Sequence, residues 1–247
     1  EQKATLEKLK RGEVDIIIGT HRLLSKDVEF ASLGLIVVDE EQRFGVKHKE
    51  KLKKLRNSVD ILTLTATPIP RTLHFSLMGV RDLSVIETPP LDRLAVKTFI
   101  RKFDEEVIRD AILREVDRGG QVFFVHNKIR SIHSIAELIQ RLVPGVVVDI
   151  AHGQLPEHQL EKVMKRFLDK EVDVLLSTSI VESGLDIPSA NTIMINRADQ
   201  FGLAQLYQLR GRVGRYKHQA YAYLLIPGVG ILSNEARKRL EAMEELS

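Results

Sequence analysis

Three acidic residues directly follow an apolar run early in the chain. The run Leu35–Val38 contains only Leu, Ile and Val, and Asp39, Glu40 and Glu41 come next. In an open parallel sheet, ligands bind at the carboxyl ends of strands, where these acids would lie. One carboxylate there can hold Mg²⁺ through water, and its neighbour can orient or deprotonate an attacking water. A solvated acidic turn after a strand is the alternative interpretation.

A second apolar run, Asp60–Thr65, ends in small hydroxyl residues. Thr65 and Thr67 flank an alanine, and the segment Pro68–Arg71 follows. Hydroxyl groups at a strand end can bridge neighbouring loops and relay the state of a bound nucleotide. An ordinary threonine-rich turn would have the same composition, so this segment is only suggestive by itself.

Three arginines fall within six residues of the segment Gln205–Arg215, at Arg210, Arg212 and Arg215. Glycines between them let the backbone approach a ligand closely. Planar guanidinium groups bond bidentately to phosphate oxygens and stabilise the charge that develops in phosphoryl transfer. A plain basic loop is the alternative, but this alternation of glycine and arginine favours a functional site.

The fourth candidate is the polar loop that follows the apolar run Val172–Thr178. It contains Glu182, Gly184 and Asp186. A glycine and an acid at a strand end suit a ligand, although a plain strand-to-loop turn fits equally well.

Short apolar runs alternate with longer helical patterns along the chain, as an α/β fold requires. The predicted strands are Val14–Gly19, Leu33–Val38, Asp60–Thr65, Gln121–Val125, Val146–Ala151, Val172–Thr178, Thr192–Ile195 and Ala220–Leu225. Apolar residues at three- and four-residue spacing predict helices over Glu105–Arg118 and Pro156–Leu168. Strands that are apolar on both faces and separated by helices predict parallel sheets covered on both sides.

Two prolines in the segment Thr88–Arg93 interrupt this alternation and mark the predicted domain boundary. We expect one α/β lobe over residues 1–88, a linker over 89–93 and a second lobe over 94–228. The last region, residues 229–247, contains a charged amphipathic segment, Ser233–Leu246. A Pro-Pro loop inside a single domain is the alternative.

Composition excludes several classes of protein. The net charge of +3 and the pI near 9.0 suit a phosphate-backbone partner without being specific for one. There is no cysteine, which excludes disulfides and thiolate metal sites, and the eight histidines form no HExxH pattern. The apolar runs are shorter than the ~18 residues of a membrane helix, and the charged start is unlike a secretory signal. We therefore expect a cytoplasmic protein.

Taken in order, these segments resemble the later signature motifs of superfamily 2 helicases, over essentially all 247 residues. The matching segments are Gly19–His21 (a DNA-contact motif), Asp39–Gln42 (the DExx box), Thr65–Thr67 (the coupling motif), Ser177–Asp186 (motif V) and Gln208–Arg215 (motif VI). Thr65–Thr72 is typical of the branch that holds RecG and the transcription-repair coupling factors, and Asp39–Val46 is closer to the latter. The resemblance implies two RecA-like lobes in a bacterial ATPase.

The resemblance also implies roles for individual residues. Asp39 would organise Mg²⁺, Glu40 would be the catalytic base, and Arg212 and Arg215 would be arginine fingers that reach the γ-phosphate of ATP. Gln208, Gly184 and Asp186 would hold or sense the nucleotide, and Thr65 and Thr67 would couple it to movement. Thr20, His21, Arg71, Gln154 and Thr178 would line the track of the DNA backbone.

Ala236–Met243 resembles the first helix of the branch's translocation hairpin, on which Arg239 would couple lobe closure to the DNA grip. We expect Arg239 to lie outside both lobes. A solvated helix arginine is the alternative.

The implied function is an ATP-driven motor on double-stranded DNA that displaces stalled RNA polymerase and recruits nucleotide excision repair. Family members bind the polymerase and the repair machinery's damage-recognition subunit through other regions. A RecG-type fork-remodelling motor is the nearest alternative, and a non-catalytic interaction module is the alternative from another class. The phosphate loop Gly-x-x-x-x-Gly-Lys-[Ser/Thr] is missing, so we expect the chain to be part of a longer protein.

Two further features have simpler interpretations. The basic run Lys47–Arg56 fits a solvated helix face at least as well as a phosphate site. His126, His133 and His158 are expected at the surface or at helix ends, whereas His152 adjoins the Gly153-Gln154 loop.

Overall fold

The computed structural model describes residues 2–41, 44–55, 58–65, 82, 84, 86, 88, 94–179, 187–215 and 217–245. The chain divides into two compact units, Glu1–Asp82 and Leu83–Ser247. None of the helices formed by the described residues is long and apolar enough to cross a bilayer.

The first unit contains a small parallel sheet. Its elements are α1 (Gln2–Arg11), a 3-10 turn (His21–Leu24), β1 (Leu35–Asp39), α2 (Val46–Leu55) and β2 (Asp60–Leu64). Strands β1 and β2 pair in parallel from Leu35 opposite Asp60 to Asp39 opposite Leu64. Both carboxyl ends therefore lie at one edge of the sheet, as the sequence predicts.

Two predictions for the first unit are wrong. The run Val14–Gly19 forms no strand; it pairs with no strand among the described residues, and Ile16 and Ile18 are 81% and 93% exposed. An apolar run becomes a strand only where a neighbour takes its backbone hydrogen bonds. One face of β1 and β2 is also open rather than covered, since Val37 and Leu62 are 54% and 50% exposed.

The second unit is built on a six-stranded parallel sheet of order β3-β8-β7-β4-β6-β5. Its strands are β3 (Lys97–Lys102), β4 (Gln121–Val125), β5 (Val148–Ala151), β6 (Val174–Ser177), β7 (Ala190–Asn196) and β8 (Tyr221–Ile226). Its helices are α3 (Glu105–Asp117), α4 (Ile132–Leu142), α5 (Glu157–Leu168), α6 (Leu203–Arg210) and α7 (Asn234–Glu245). Short 3-10 turns occupy Ile129–Ser131, Ala198–Gln200 and Val229–Ile231.

Both faces of this sheet are buried, which confirms the prediction for the second unit. Successive residues of β4 enter opposite cores: Phe123 and Val125 one, Val122 and Phe124 the other. Helices α3 and α4 cover one face, and α5, α6 and α7 cover the other. The result is a three-layer α/β/α unit.

The ends of α3 show how local sequence fixes an element. The Asp104 carboxylate accepts hydrogen bonds from the backbone N–H groups of Glu106 and Val107 at 2.9 and 3.3 Å, capping the helix start. Gly119 has φ +75° at the other end, a left-handed conformation that glycine adopts without steric cost. The predicted helix over Glu105–Arg118 is confirmed, with its end one residue earlier at Asp117.

Candidate functional site

The acidic edge of the first unit joins the ends of β1 and β2. Asp39 is the last residue of β1, and the backbone N–H of Glu40 donates to the carbonyl of Leu64 at 3.0 Å. This bond brings the Glu40 side chain next to Thr65, whose Oγ1 lies 3.5 Å from Glu40 Oε2. The structure thus brings Asp39, Glu40 and Thr65 together, whereas Thr67 lies outside the described residues.

Glu40 also has an uncommon backbone conformation, with φ 54°. A non-glycine residue in the left-handed region carries strain, and such residues cluster at ligand sites. Asp39 is exposed and Glu40 half-buried, so both carboxylates are accessible. No cluster of three or more metal-binding side chains occurs among the described residues. An oxygen-donor pair suits Mg²⁺, which typically binds one or two carboxylates and keeps several waters.

Thr20 and His21 form the start of a turn on the first unit. Thr20 Oγ1 accepts a hydrogen bond from the backbone N–H of Arg22 at 3.4 Å, which caps the 3-10 turn. The His21 ring lies 5.4 Å from the ring of His48 on α2. Both Thr20 and His21 are exposed, as a contact to a ligand requires. The predicted DNA contact Arg71 lies outside the described residues.

In the second unit, helix α6 and the turn after it carry the arginine-rich segment. Gln205 accepts a hydrogen bond from the backbone N–H of Gly202 at 3.1 Å and so fixes the start of α6. Gln208 is half-buried near the helix end, Arg212 is half-buried in the turn, and Arg215 is exposed. Arg215 Nε donates to the carbonyl of Gly211 at 3.2 Å.

Gly214 fixes the backbone between the two predicted arginine fingers. Its φ is +73°, and a Cβ placed on it would lie 2.7 Å from Val96 Cγ2 and 3.1 Å from the Cβ of Ala220. Its neighbour Val213 is fully buried in the core. Conformation and packing both require glycine here, so Arg215 projects from an anchored turn.

A row of polar groups lies at the carboxyl edge of the second sheet. The backbone N–H of His126, after β4, donates to Ser177 O at 2.8 Å, and that of Thr178, after β6, donates to Ala151 O at 3.2 Å. Gln154 is exposed in the turn that follows β5. The structure therefore places Gln154 and Thr178 at one edge. The predicted nucleotide contacts Gly184 and Asp186 lie outside the described residues.

His126 is a member of this row that the sequence analysis missed. It is only 6% exposed, so the expectation of a surface or capping residue is wrong. Its Nδ1 lies 2.9 Å from Asn196 Nδ2, and its Nε2 lies 2.8 Å from Ser131 Oγ. Burial and, to a smaller extent, the charge of Lys128 lower the His126 pKa. The ring is therefore neutral at pH 7, and Nδ1 accepts from Asn196. Its position directly after a buried strand was the available signal.

Arg239 belongs to the second unit, so the expectation that it lies outside both lobes is wrong. Leu240 and Met243 of α7 are 1% and 0% exposed and pack into one core of that unit. Arg239 Nη2 donates to the carbonyl of Asp199 at 3.1 Å, and its buried Nε has no hydrogen-bond partner among the described residues.

A second bond links α7 to the arginine-rich segment. Arg210 Nη1, at the end of α6, donates to the carbonyl of Met243 at 3.0 Å. Met243 lies in the last turn of α7, where a cation interacts favourably with the helix dipole. Helix α7 is thus attached to Asp199, which lies before α6, and to Arg210, which lies at the end of α6.

Two family models match the chain in succession: "DEAD/DEAH box helicase" over residues 1–75 and "Helicase conserved C-terminal domain" over residues 104–217. With its parallel sheets, acidic edge and arginine-rich turn, the chain is of the helicase class. It is 60% identical over 247 residues to the transcription-repair-coupling factor of Myxococcus xanthus, and 56% identical over 246 residues to that of Escherichia coli. All of this chain is covered in both comparisons. The chain thus matches one region of transcription-repair-coupling factors over its whole length, and it spans 21% of the length of these two relatives.

Two solved structures are also similar to this chain. RecG bound to a three-way DNA junction is 36% identical with a TM-score of 0.74, over 98% of this chain and 32% of that one. Dbp5 of S. cerevisiae, bound to RNA and ADP BeF3, is 15% identical with a TM-score of 0.63, over 91% of this chain and 60% of that one. The second likeness concerns the fold alone.

Proposed function

We propose that this chain is the ATP-dependent motor of a transcription-repair coupling factor, which moves along double-stranded DNA and displaces stalled RNA polymerase. The observation that carries the proposal is the 60% and 56% identity to two such factors across the chain. Polymerase displacement would couple transcription to nucleotide excision repair. Since the chain spans about a fifth of these relatives, the polymerase and the damage-recognition subunit would bind elsewhere in a full-length protein.

ATP hydrolysis is assigned to the acidic edge and the arginine-rich turn. Asp39 would hold Mg²⁺ through water, and Glu40 would take the proton of the attacking water. The bound Mg²⁺ would neutralise phosphate charge. Two facts support these roles: both carboxylates are accessible at a strand end, and Glu40 has a left-handed backbone. This function would make the protein a DNA-dependent ATP hydrolase.

Arg212 and Arg215 are the proposed arginine fingers, with Gln208, Gly184 and Asp186 as further nucleotide contacts. The anchored turn at Gly214 supports the assignment, because guanidinium groups must be held in place to stabilise developing charge.

Thr20, His21, Arg71, Gln154 and Thr178 are the proposed contacts to the DNA backbone. The described members are consistent with this role: Thr20, His21 and Gln154 are exposed, and Thr178 lies at the carboxyl edge of the second sheet. Contacts to sugar and phosphate carry little sequence information, which suits a motor that must step along any sequence.

Thr65, Thr67 and Arg239 are proposed to couple hydrolysis to movement. The contact between Thr65 and Glu40 supports the first of these, because it links a strand-end hydroxyl to the proposed base. The hydrogen bonds that join α7 to Asp199 and to Arg210 support Arg239, because they attach α7 before α6 and at the end of α6. We assign α7 as the first helix of a translocation hairpin.

Replacing Glu40 tests the motor directly in the full-length protein. Glu40→Gln should retain ATP binding but lose hydrolysis and polymerase displacement, because an amide cannot accept the proton from water. ATP binding, DNA-stimulated hydrolysis and displacement of RNA polymerase stalled on duplex DNA would be measured in parallel. Asp60→Asn removes the same charge at the opposite end of the two-stranded sheet and should leave all three near wild type.

The 36% identity to RecG favours one competing function, fork remodelling. A wild-type protein that unwinds branched DNA but leaves a stalled polymerase in place would contradict the proposal and support this alternative. Normal hydrolysis by Glu40→Gln would instead exclude Glu40 as the catalytic base.

A further inference from the structure

Helix α2 has a composition that opposes its own stability. It contains five lysines and one acid, Glu50, and no acid lies in its first turn. Lys47 and Lys49 lie near the helix start, where the helix dipole favours negative charge. Lysines spaced three or four residues apart also repel one another. A helix sequence that departs from these stability rules is expected at a site that binds a ligand.

The lysine charges of α2 are not balanced within the described part of the chain. Lys47, Lys49, Lys53 and Lys54 form no ion pair there. By contrast, Lys10 pairs with Glu29 at 2.9 Å on the same unit. These four charges are therefore available to an anionic partner.

Packing fixes which side of α2 adjoins the turn that carries Thr20 and His21. Leu52 is buried against the unit, and the His48 ring contacts that of His21. Lys51 Nζ donates to the carbonyls of Leu24 and Ser25 at 3.1 and 3.0 Å. The Lys51 side of the helix therefore lies along this turn.

Helical geometry divides the other lysines into two stripes. Lys47 and Lys54 lie four residues before and three residues after Lys51, so all three share one side of the helix. Lys49 and Lys53, themselves four residues apart, lie on a different side. We call the first set, Lys47, Lys51 and Lys54, the α2 stripe.

We propose that Lys47 and Lys54, the two ends of the α2 stripe, bind the sugar-phosphate backbone of duplex DNA and extend the contact proposed for Thr20 and His21. The inference rests on the proposed function, because those two residues are proposed DNA contacts. Seven residues separate Lys47 from Lys54, which is about 10.5 Å of helix. A DNA strand offers a phosphate about every 3.4 Å of its axis, so this span covers more than one phosphate.

The salt dependence of DNA binding tests this proposal in the full-length protein. The plot of log K against log salt has a negative slope, and each lost phosphate contact reduces its magnitude by about 0.9. Lys47→Gln/Lys54→Gln should therefore reduce the magnitude of the slope by about 1.8. Binding to a mixed-sequence duplex would be measured by fluorescence anisotropy between about 50 and 200 mM salt, with a non-hydrolysable ATP analogue. Glutamine has nearly the helix propensity of lysine, so the fold should persist, and thermal unfolding would verify this.

Lys49→Gln/Lys53→Gln is the matched control, since it removes the same charge from the same helix. Its slope should stay near the wild-type value. An equal decrease in both double variants would overturn the proposal in favour of a general charge effect, as would no decrease in Lys47→Gln/Lys54→Gln. Wild-type protein that fails to bind duplex DNA would instead overturn the proposed function, so the two failures are distinguishable.

Discussion

Arg215 combines an exposed side chain with a fixed backbone. Its Nε is bonded to the carbonyl of Gly211, and the preceding Gly214 is pressed against Val96 and Ala220. An arginine anchored in this way loses little conformational entropy on meeting a phosphate, and its planar group can make two parallel bonds. These properties are the ones that an arginine finger requires.

Replacing Arg215 should therefore impair chemistry more than binding. In the full-length protein, Arg215→Ala should lower DNA-stimulated ATP hydrolysis by roughly 10³-fold, because charge on the transferring phosphoryl group is no longer stabilised. Steady-state hydrolysis and the affinity for a fluorescent ATP analogue would be measured together. Arg215→Lys keeps the charge but loses the planar fork, and it should also be strongly impaired. Near-wild-type turnover by Arg215→Ala would make this residue structural or a DNA contact.

The sequence predicts some residues of the site and misses others for physical reasons. The proximity of Glu40 and Thr65 follows from placing both at carboxyl ends of neighbouring parallel strands, and the structure brings them together. The burial of His126 was missed because its hydrogen-bond partners lie on other elements: Asn196 ends β7, and Ser131 lies in the 3-10 turn before α4. Local sequence does not show such tertiary hydrogen bonds.

At the scale of elements, α7 is part of the second unit and bonded to the segments around α6. Arg239 holds the turn before α6, and Arg210 at the end of α6 holds the last turn of α7. A displacement of α6 together with the 3-10 turn before it would therefore move both attachment points of α7. This arrangement supports a coupling role for Arg239 through hydrogen bonds within the second unit, whereas the sequence analysis expected Arg239 to act from outside both lobes.

Replacing Arg239 should separate hydrolysis from movement. In the full-length protein, Arg239→Ala should leave DNA binding and ATP turnover largely intact while abolishing displacement of a triplex strand or a stalled polymerase. The physical reason is that the hydrogen bond from Arg239 to Asp199 joins α7 to the turn before α6, whereas the residues proposed for hydrolysis keep their positions without it. Lys238→Ala, at an exposed position of the same helix, should behave as wild type. Loss of ATP turnover in Arg239→Ala would show that α7 supports the fold, and normal displacement would exclude coupling.

Elements were predictable where burial was complete on both sides. Strands β4 and β6 contain the buried apolar runs Val122–Val125 and Val174–Leu176 and are covered by helices on both faces, so hydrophobic runs identified them. Strand β3, KTFIRK, was not predicted because an edge strand pairs on one side only and tolerates charged residues. Val14–Gly19 shows the opposite error, since its apolar residues have no partner strand among the described residues.

At the scale of the whole molecule, the residues proposed for ATP hydrolysis are distributed over the two units. The acidic edge belongs to the first unit and the arginine-rich turn to the second. Neither set of side chains is proposed to bind the β- and γ-phosphates of ATP in the way that a phosphate cradle does. In nucleotide-hydrolysing motors of this class, a lysine and the backbone amides of a phosphate loop form that cradle.

We therefore expect the 247-residue chain alone to hydrolyse ATP negligibly, because none of its glycines begins the pattern Gly-x-x-x-x-Gly-Lys-[Ser/Thr]. Without these groups, ATP would bind weakly and its γ-phosphate would not be positioned for attack by water. Phosphate release by the purified chain would be measured with and without duplex DNA, against a full-length coupling factor as the active reference and its Glu40→Gln variant as the background. Circular dichroism of the same sample would verify that the chain is folded. Robust, DNA-stimulated turnover by the chain alone would contradict this prediction and would mean that other residues in the 247 supply the phosphate cradle.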